Sequence, residues 1–250
     1  MPYSYRILPY CNQPPGQNVA HAPVFAGAFT TSPIGGRLDA PPHPRHMQPM
    51  STLKAVCVYC GSGPGSNPRF VESARTFGRI LAENGIRLVY GGGSIGLMGA
   101  IADSVIDHGG QVTGIIPDFL KAREMMFRRA QEIIVTRDMH ERKRLMFERA
   151  DAFVALPGGV GTLEELVEQL TWAQLGRHKK PILMANIDGF WDPLCALFDH
   201  MRAMQFIRAG LSVSPLVVNA VEEILPALHD ATRHISESEK EMKTVEPERL

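Results

Sequence analysis

AFVALPGGVGTLEELVEQL, residues 152–170, starts as a short apolar run, breaks at a proline and three glycines, and resumes at helical spacing. AFVAL carries no polar alternation, which is the pattern of a strand covered on both faces in a parallel sheet. Beyond the break, Leu163, Leu166, Val167 and Leu170 recur as the apolar stripe of a helix. Thr162 and Glu165 form a T-x-x-E capping box, in which each side chain accepts from the other residue's backbone N–H. Gly158, Gly159 and Gly161 exceed what a cap requires. Glycines admit a ligand close to the backbone and leave successive N–H groups bare. At a helix N-terminus those groups carry partial positive charge and suit a phosphate. A phosphate-binding turn is the preferred reading, with the plain cap as its alternative.

The same strand–turn–helix grammar extends in both directions. AVCVYCG from Ala55, IRLVY (86–90), QVTGIIP (111–117), EIIVT (132–136) and PILMANI (181–187) read as strands, and LVVN (216–219) as an edge strand. Helices are expected over 69–83, after GGGSIG, over 138–150, to about 174, over 190–204, and from about 221. This alternation predicts an α/β chain, a Rossmann-like three-layer sandwich with a mainly parallel sheet. Ligands in such folds bind beyond the carboxyl ends of the strands. CGSGPGSNP, GGGSIGLMG and PGGVGT all fall there, so they can line one crevice.

GGGSIG satisfies G-x-G-x-x-G through Gly91, Gly93 and Gly96. The acidic residue that a dinucleotide site needs some twenty positions on is missing at the end of the following strand. A backbone cradle for a monophosphate or a sugar is preferred, with tight packing as the alternative. In MHERK (139–143), Asp138 and Glu141 read as a cap. Arg142 shares a face with Leu145 and Met146, so it needs an anionic or aromatic partner, whether structural or ligand-borne.

The formal net charge is zero over 250 residues, which gives no general reason to bind nucleic acid or an anionic membrane. No apolar run is long enough to span a bilayer. Cys57 and Cys60 lie three apart in a strand, hence on opposite faces. No second C-x-x-C completes a zinc site, so these cysteines, with Cys11 and Cys195, read as free thiols in a reducing, cytoplasmic compartment. No histidine shows metal-ligand spacing, and no metal or cofactor is expected. Residues 1–50 hold ten of the nineteen prolines and no lasting periodicity. They read as a disordered extension or as a start assigned too early. A single domain is expected over 51–230, followed by a charged tail over 231–250.

C-G-S near residue 60, VYGGGSIGLMG (89–99), MHERK (139–143) and PGGVGTLEE (157–165) together resemble the LOG (Lonely Guy) family, whose members have often carried the label "lysine decarboxylase". The resemblance runs from about Lys54 to about Gly210. It implies a phosphoribohydrolase that splits a purine nucleoside 5′-monophosphate, a cytokinin riboside monophosphate or AMP, into free base and ribose 5-phosphate. It also implies a homodimer. Carried over by position, Arg142 and Glu165 would be the catalytic pair. Glu124, Lys143, Gly159, Val160, Gly161, Thr162, Leu163, Glu164 and Thr171 would contact the nucleotide, with Ser62, Gly92 and Gly93 added from the other glycine turns. Met98, Met125 and Met126 are candidates to line a prenyl pocket or to serve as core. The alternative is a non-catalytic nucleotide-binding module of the same superfamily. The decarboxylase label finds no lysine in a pyridoxal phosphate context.

Overall fold

β1 (Ala55–Tyr59) is the axis of the sheet, and both halves of the chain are laid out from it. The computed structural model describes residues 53–207 and 215–245, so the expectations for residues 1–50 and for Cys11 lie outside the described residues. β2 (Arg87–Tyr90), β3 (Val112–Pro117) and β4 (Glu132–Thr136) extend the sheet on one side of β1. β5 (Ala152–Ala155), β6 (Ile182–Ala185) and β7 (Leu216–Val218) extend it on the other. The order is β4-β3-β2-β1-β5-β6-β7, and every pairing is parallel. The strand order therefore reverses between β1 and β5. In open α/β sheets the carboxyl ends at such a reversal form the ligand crevice.

Helices cover both faces. α1 (Pro68–Glu83), α2 (Gly96–Asp107) and α6 (Ile224–Val245) lie on one, and α3 (Met139–Glu148), α4 (Val160–Gln174) and α5 (Asp192–Ala203) on the other. β1 shows why its sequence does not alternate. Val56, Val58 and Cys60 enter the first core, while Ala55, Cys57 and Tyr59 enter the second. Cys57 and Cys60 point to opposite faces and are free thiols, as expected. The expected charged tail continues as helix through Val245.

The cap of α3 forms as expected: Asp138 accepts from the N–H of Glu141 at 2.8 Å. The capping box in α4 does not form. The helix begins at Val160 with Gly159 as its N-cap and no side-chain cap bond. Thr162 is therefore the third helical residue, not the cap. The apolar stripe also needs correction. Leu166 and Leu170 are buried, but Val167 is exposed, and the polar residues Thr162, Glu165 and Gln169 are buried instead.

α2 is locked onto the turn after β1. The N–H groups of Leu97 and Met98 donate to the carbonyl of Gly61 at 3.0 and 3.3 Å. Gly96, at φ +61°, allows this approach, because a Cβ there would lie 2.4 Å from the Ser62 carbonyl. Gly96→Ala combines left-handed strain with backbone overlap, so it is expected to cost at least about 2 kcal/mol. A thermal unfolding curve should show Tm lower by roughly 5 °C.

Candidate active site

The loops after β1, β2 and β5 enclose a cavity of about 220 Å³ at the strand reversal. Ser62, Gly91, Glu124, Arg142, Gly159, Val160, Gly161, Thr162 and Glu165 all line it. The turns after β1 and β5 are tied together by the N–H of Gly61, which donates to the Pro157 carbonyl at 3.0 Å. The first turn of α2 is occupied by the Gly61 carbonyl, whereas the first-turn residues of α4 line the cavity. The anion-favouring helix end at this cavity is therefore that of α4.

Arg142 reaches the cavity from α3 and is only 6% exposed. Its Nε donates to the Ile115 carbonyl at 3.2 Å, and its Nη2 donates to the Gly91 carbonyl at 3.4 Å. Its Nη1 lies 3.8 Å from Oε1 of Glu165, itself 8% exposed. Gly91 is needed for this arrangement, since a Cβ there would sit 2.2 Å from the Arg142 Nη2. Burial pushes the Glu165 carboxyl up to about 7, with Arg142 pulling against it. Glu165 thus titrates near neutrality and can be either a carboxylate or a proton carrier.

Glu124 enters from the connection between β3 and β4. Burial raises its carboxyl above the ordinary range, partly offset by Arg142. Its Oε2 is buried and has no hydrogen-bond partner.

Other sequence-expected residues lie outside the cavity wall. Lys143 bridges α3 to α4, with its Nζ 2.6 Å from Glu164 and 3.0 Å from Glu168. Leu163 packs in the α3–α4–α5 core. Glu164 is exposed, and so is Thr171, whose hydroxyl donates to the Val167 carbonyl at 2.8 Å. Gly92 packs against Ile116, and Gly93 is paired with Met126 behind the wall. Of the three methionines, Met98 lines the cavity, Met126 is half-buried and Met125 is exposed. The wall also contains Cys60 of the C-G-S motif, and Val58 and Tyr59, which the motifs did not single out. Their position at the carboxyl end of β1, just before a glycine turn, is the signal that could have found them.

The profile of a family described as "Possible lysine decarboxylase" matches residues 98–228. A protein of Oryza sativa subsp. japonica named probable cytokinin riboside 5′-monophosphate phosphoribohydrolase LOGL1 is 45% identical over 185 residues, 74% of this chain and 83% of that one. The chain belongs to the LOG family. The rice LOG protein named cytokinin riboside 5′-monophosphate phosphoribohydrolase is 50% identical over 157 residues, 63% of this chain and 65% of its own. Among solved structures, the molybdenum cofactor carrier protein of Chlamydomonas reinhardtii aligns with a TM-score of 0.54 at 21% identity, covering 72% of this chain and 98% of that one. That likeness shows a shared Rossmann-type fold. The LOG family motifs coincide with the cavity: PGGVGT forms one wall, and Arg142 of MHERK stands beside Glu165.

Proposed function

We propose that this protein hydrolyses the N-glycosidic bond of a purine nucleoside 5′-monophosphate, releasing the free base and ribose 5-phosphate. The observation that carries this reading is the buried Arg142–Glu165 pair, 3.8 Å apart, beside the bare first turn of α4. The names of relatives at 45–50% identity support the same reaction. In this reading the backbone N–H groups of Gly159 to Gly161 and the Thr162 hydroxyl hold the 5′-phosphate. That anchor is remote from the broken bond and fixes the ribose against Glu165. Bond cleavage builds positive charge on the ribose, which the Glu165 carboxylate stabilises while orienting the attacking water. Arg142 holds Glu165 and offsets the negative charge growing on the departing base. Pyridoxal-type decarboxylation would need a lysine at the cofactor, and among the described residues no lysine lines the cavity.

The substrates of this reading are cytokinin riboside monophosphates and AMP. The active species is a cytoplasmic homodimer. Val160 and Val167 on α4 and Leu175 at its C-cap are exposed, an apolar surface that a two-fold partner would cover. Among the described residues Cys57, Cys60 and Cys195 are free thiols, which accords with a reducing compartment. Among the described residues no helix is long and apolar enough to cross a membrane.

Incubation with AMP and with isopentenyladenosine monophosphate, followed by chromatography of the free base, tests the reading. Base and ribose 5-phosphate should appear in equal amounts, and the ratio of the two rates names the preferred base. A folded protein that releases base from neither nucleotide would be the non-catalytic binding module instead.

A further inference from the structure

Two carboxyl groups line the cavity, and the chain holds them by different means. Glu165 is carried by α4, the helix whose first turn meets the phosphate in the reading above. Glu124 is carried by the β3–β4 connection, which is clamped to the turn after β2. The N–H of Ser94 donates to the carbonyls of Glu124 and Met125, at 3.2 and 3.0 Å. The N–H of Phe127 donates to the Gly92 carbonyl at 2.9 Å, and Gly93 pairs with Met126. The glycine turn that fixes the Glu124 backbone is thus the one that receives Arg142 at Gly91. Glu165 has the Arg142 guanidinium as an ion-pair partner at 3.8 Å, whereas the buried Oε2 of Glu124 has no donor at all. A buried oxygen without a donor strongly disfavours a negative charge there and is suited to a neutral carboxyl with a proton to give. In a nucleotide the phosphate, ribose and base follow one another. The carboxylate on the phosphate-binding helix is therefore assigned to the ribose, and the carboxyl held over the separate turn after β2 to the base.

We propose that Glu124 is the general acid for the leaving base, an inference that rests on the phosphoribohydrolase reading of this site. Its carboxyl proton passes to a purine ring nitrogen as the C1′–N9 bond breaks and the bonding electron pair stays with the base. Water adds its oxygen to C1′, and the proton it releases goes to the Glu165 carboxylate. The products are the neutral base and ribose 5-phosphate. Glu165 returns its proton to solvent, and Glu124 takes one back. Two carboxyl groups with divided duties of this kind serve other glycosyl hydrolyses. The groups that face Glu124 are Arg142 from α3, Glu165 from α4 and Cys60 from β1, whose thiol burial holds in the neutral form. Burial raises the Glu124 carboxyl, with Arg142 pulling it back, so its proton is retained to higher pH than in a solvated glutamate.

Glu124→Gln, assayed beside the wild type on AMP and on 4-nitrophenyl ribose 5-phosphate, tests this role. Nitrophenolate leaves as a stable anion and needs no proton. The variant is expected to release adenine roughly 100-fold more slowly, the lower range for a lost general acid. It should release nitrophenolate within about threefold of wild type, which also shows that it is folded. The alkaline fall of kcat on AMP should be present in the wild type and gone in the variant. Equal slowing on both substrates would overturn the acid role and make Glu124 a binding group, as would an alkaline fall that persists in the variant. Wild-type protein that releases neither product would remove the site reading and the acid role together.

Discussion

Glu165→Gln is expected to lower base release 100- to 1000-fold, the range found when one group aimed at transition-state charge is removed. The helix should survive, because α4 starts at Val160 and Glu165 caps nothing. The loss should therefore fall on kcat, with the circular dichroism spectrum unchanged. Stability should move the other way. Burial raises the Glu165 carboxyl from its ordinary 4.5 to about 7. A carboxyl raised in the folded state contributes stability that is fully present below its unfolded pKa. That contribution is lost as pH rises through the folded pKa. Between pH 4.5 and about 7 the wild type should therefore lose stability from this group, by about 3 kcal/mol in all. Glutamine does not titrate, so the variant should lack this group's share of the loss across the same window. Denaturant unfolding at pH 5 and pH 8 reads the difference. The same ionisation should make wild-type kcat rise toward pH 7. A variant as active as the wild type would return Glu165 to a structural role.

Much of this fold is written in local signals. β1, β5 and β6 are uninterrupted apolar runs because both faces of the sheet are covered there, and β1, β2 and β5 each run into a glycine turn where the chain leaves the core. The site was legible for a related reason: three such turns at strand carboxyl ends can converge only where the strand order reverses. What misled was the phase within α4. T-x-x-E has the same letters whether threonine is the cap or the third helical residue, and the extended backbone of Gly159 sets the start three residues earlier. The apolar stripe holds at Leu163, Leu166 and Leu170 and fails at Val167. α4 turns Thr162 and Glu165 inward because the cavity lies there, Gln169 is buried away from the cavity wall, and Val167 is left outside. Lys143 is a further case. Neighbouring helical residues differ by about 100° in direction, so Arg142 and Lys143 do not both face one cavity. Arg142 takes it, and Lys143 reaches Glu164 and Glu168 instead. That Glu124 reaches the cavity depends on how the β3–β4 connection folds back over GGGSIG, a long-range pairing with no local pattern.

Arg142→Ala should match the loss at Glu165, 100- to 1000-fold, and its pH profile separates two roles for the guanidinium. Arg142 is held by the Ile115 and Gly91 carbonyls and stands 3.8 Å from Glu165, so it is an organiser of the pair as well as a source of positive charge. Its pull lowers the Glu165 carboxyl against the effect of burial. Without it the carboxyl should rise further, and the rising limb of the rate profile should shift to higher pH. If the rate falls while that limb stays in place, Arg142 acts on the departing base and not through Glu165. Arg142→Lys should recover little of the rate. One ammonium cannot reproduce a planar fork that meets two carbonyls and a carboxylate at once. Gly91→Ala should give a partial copy of the defect, because its Cβ would occupy the space of Nη2. An Arg142→Ala protein that turns over within tenfold of wild type would mean that the buried pair only holds α3 against α4. The chemistry would then rest on Glu165, Glu124 and the first turn of α4 without the guanidinium.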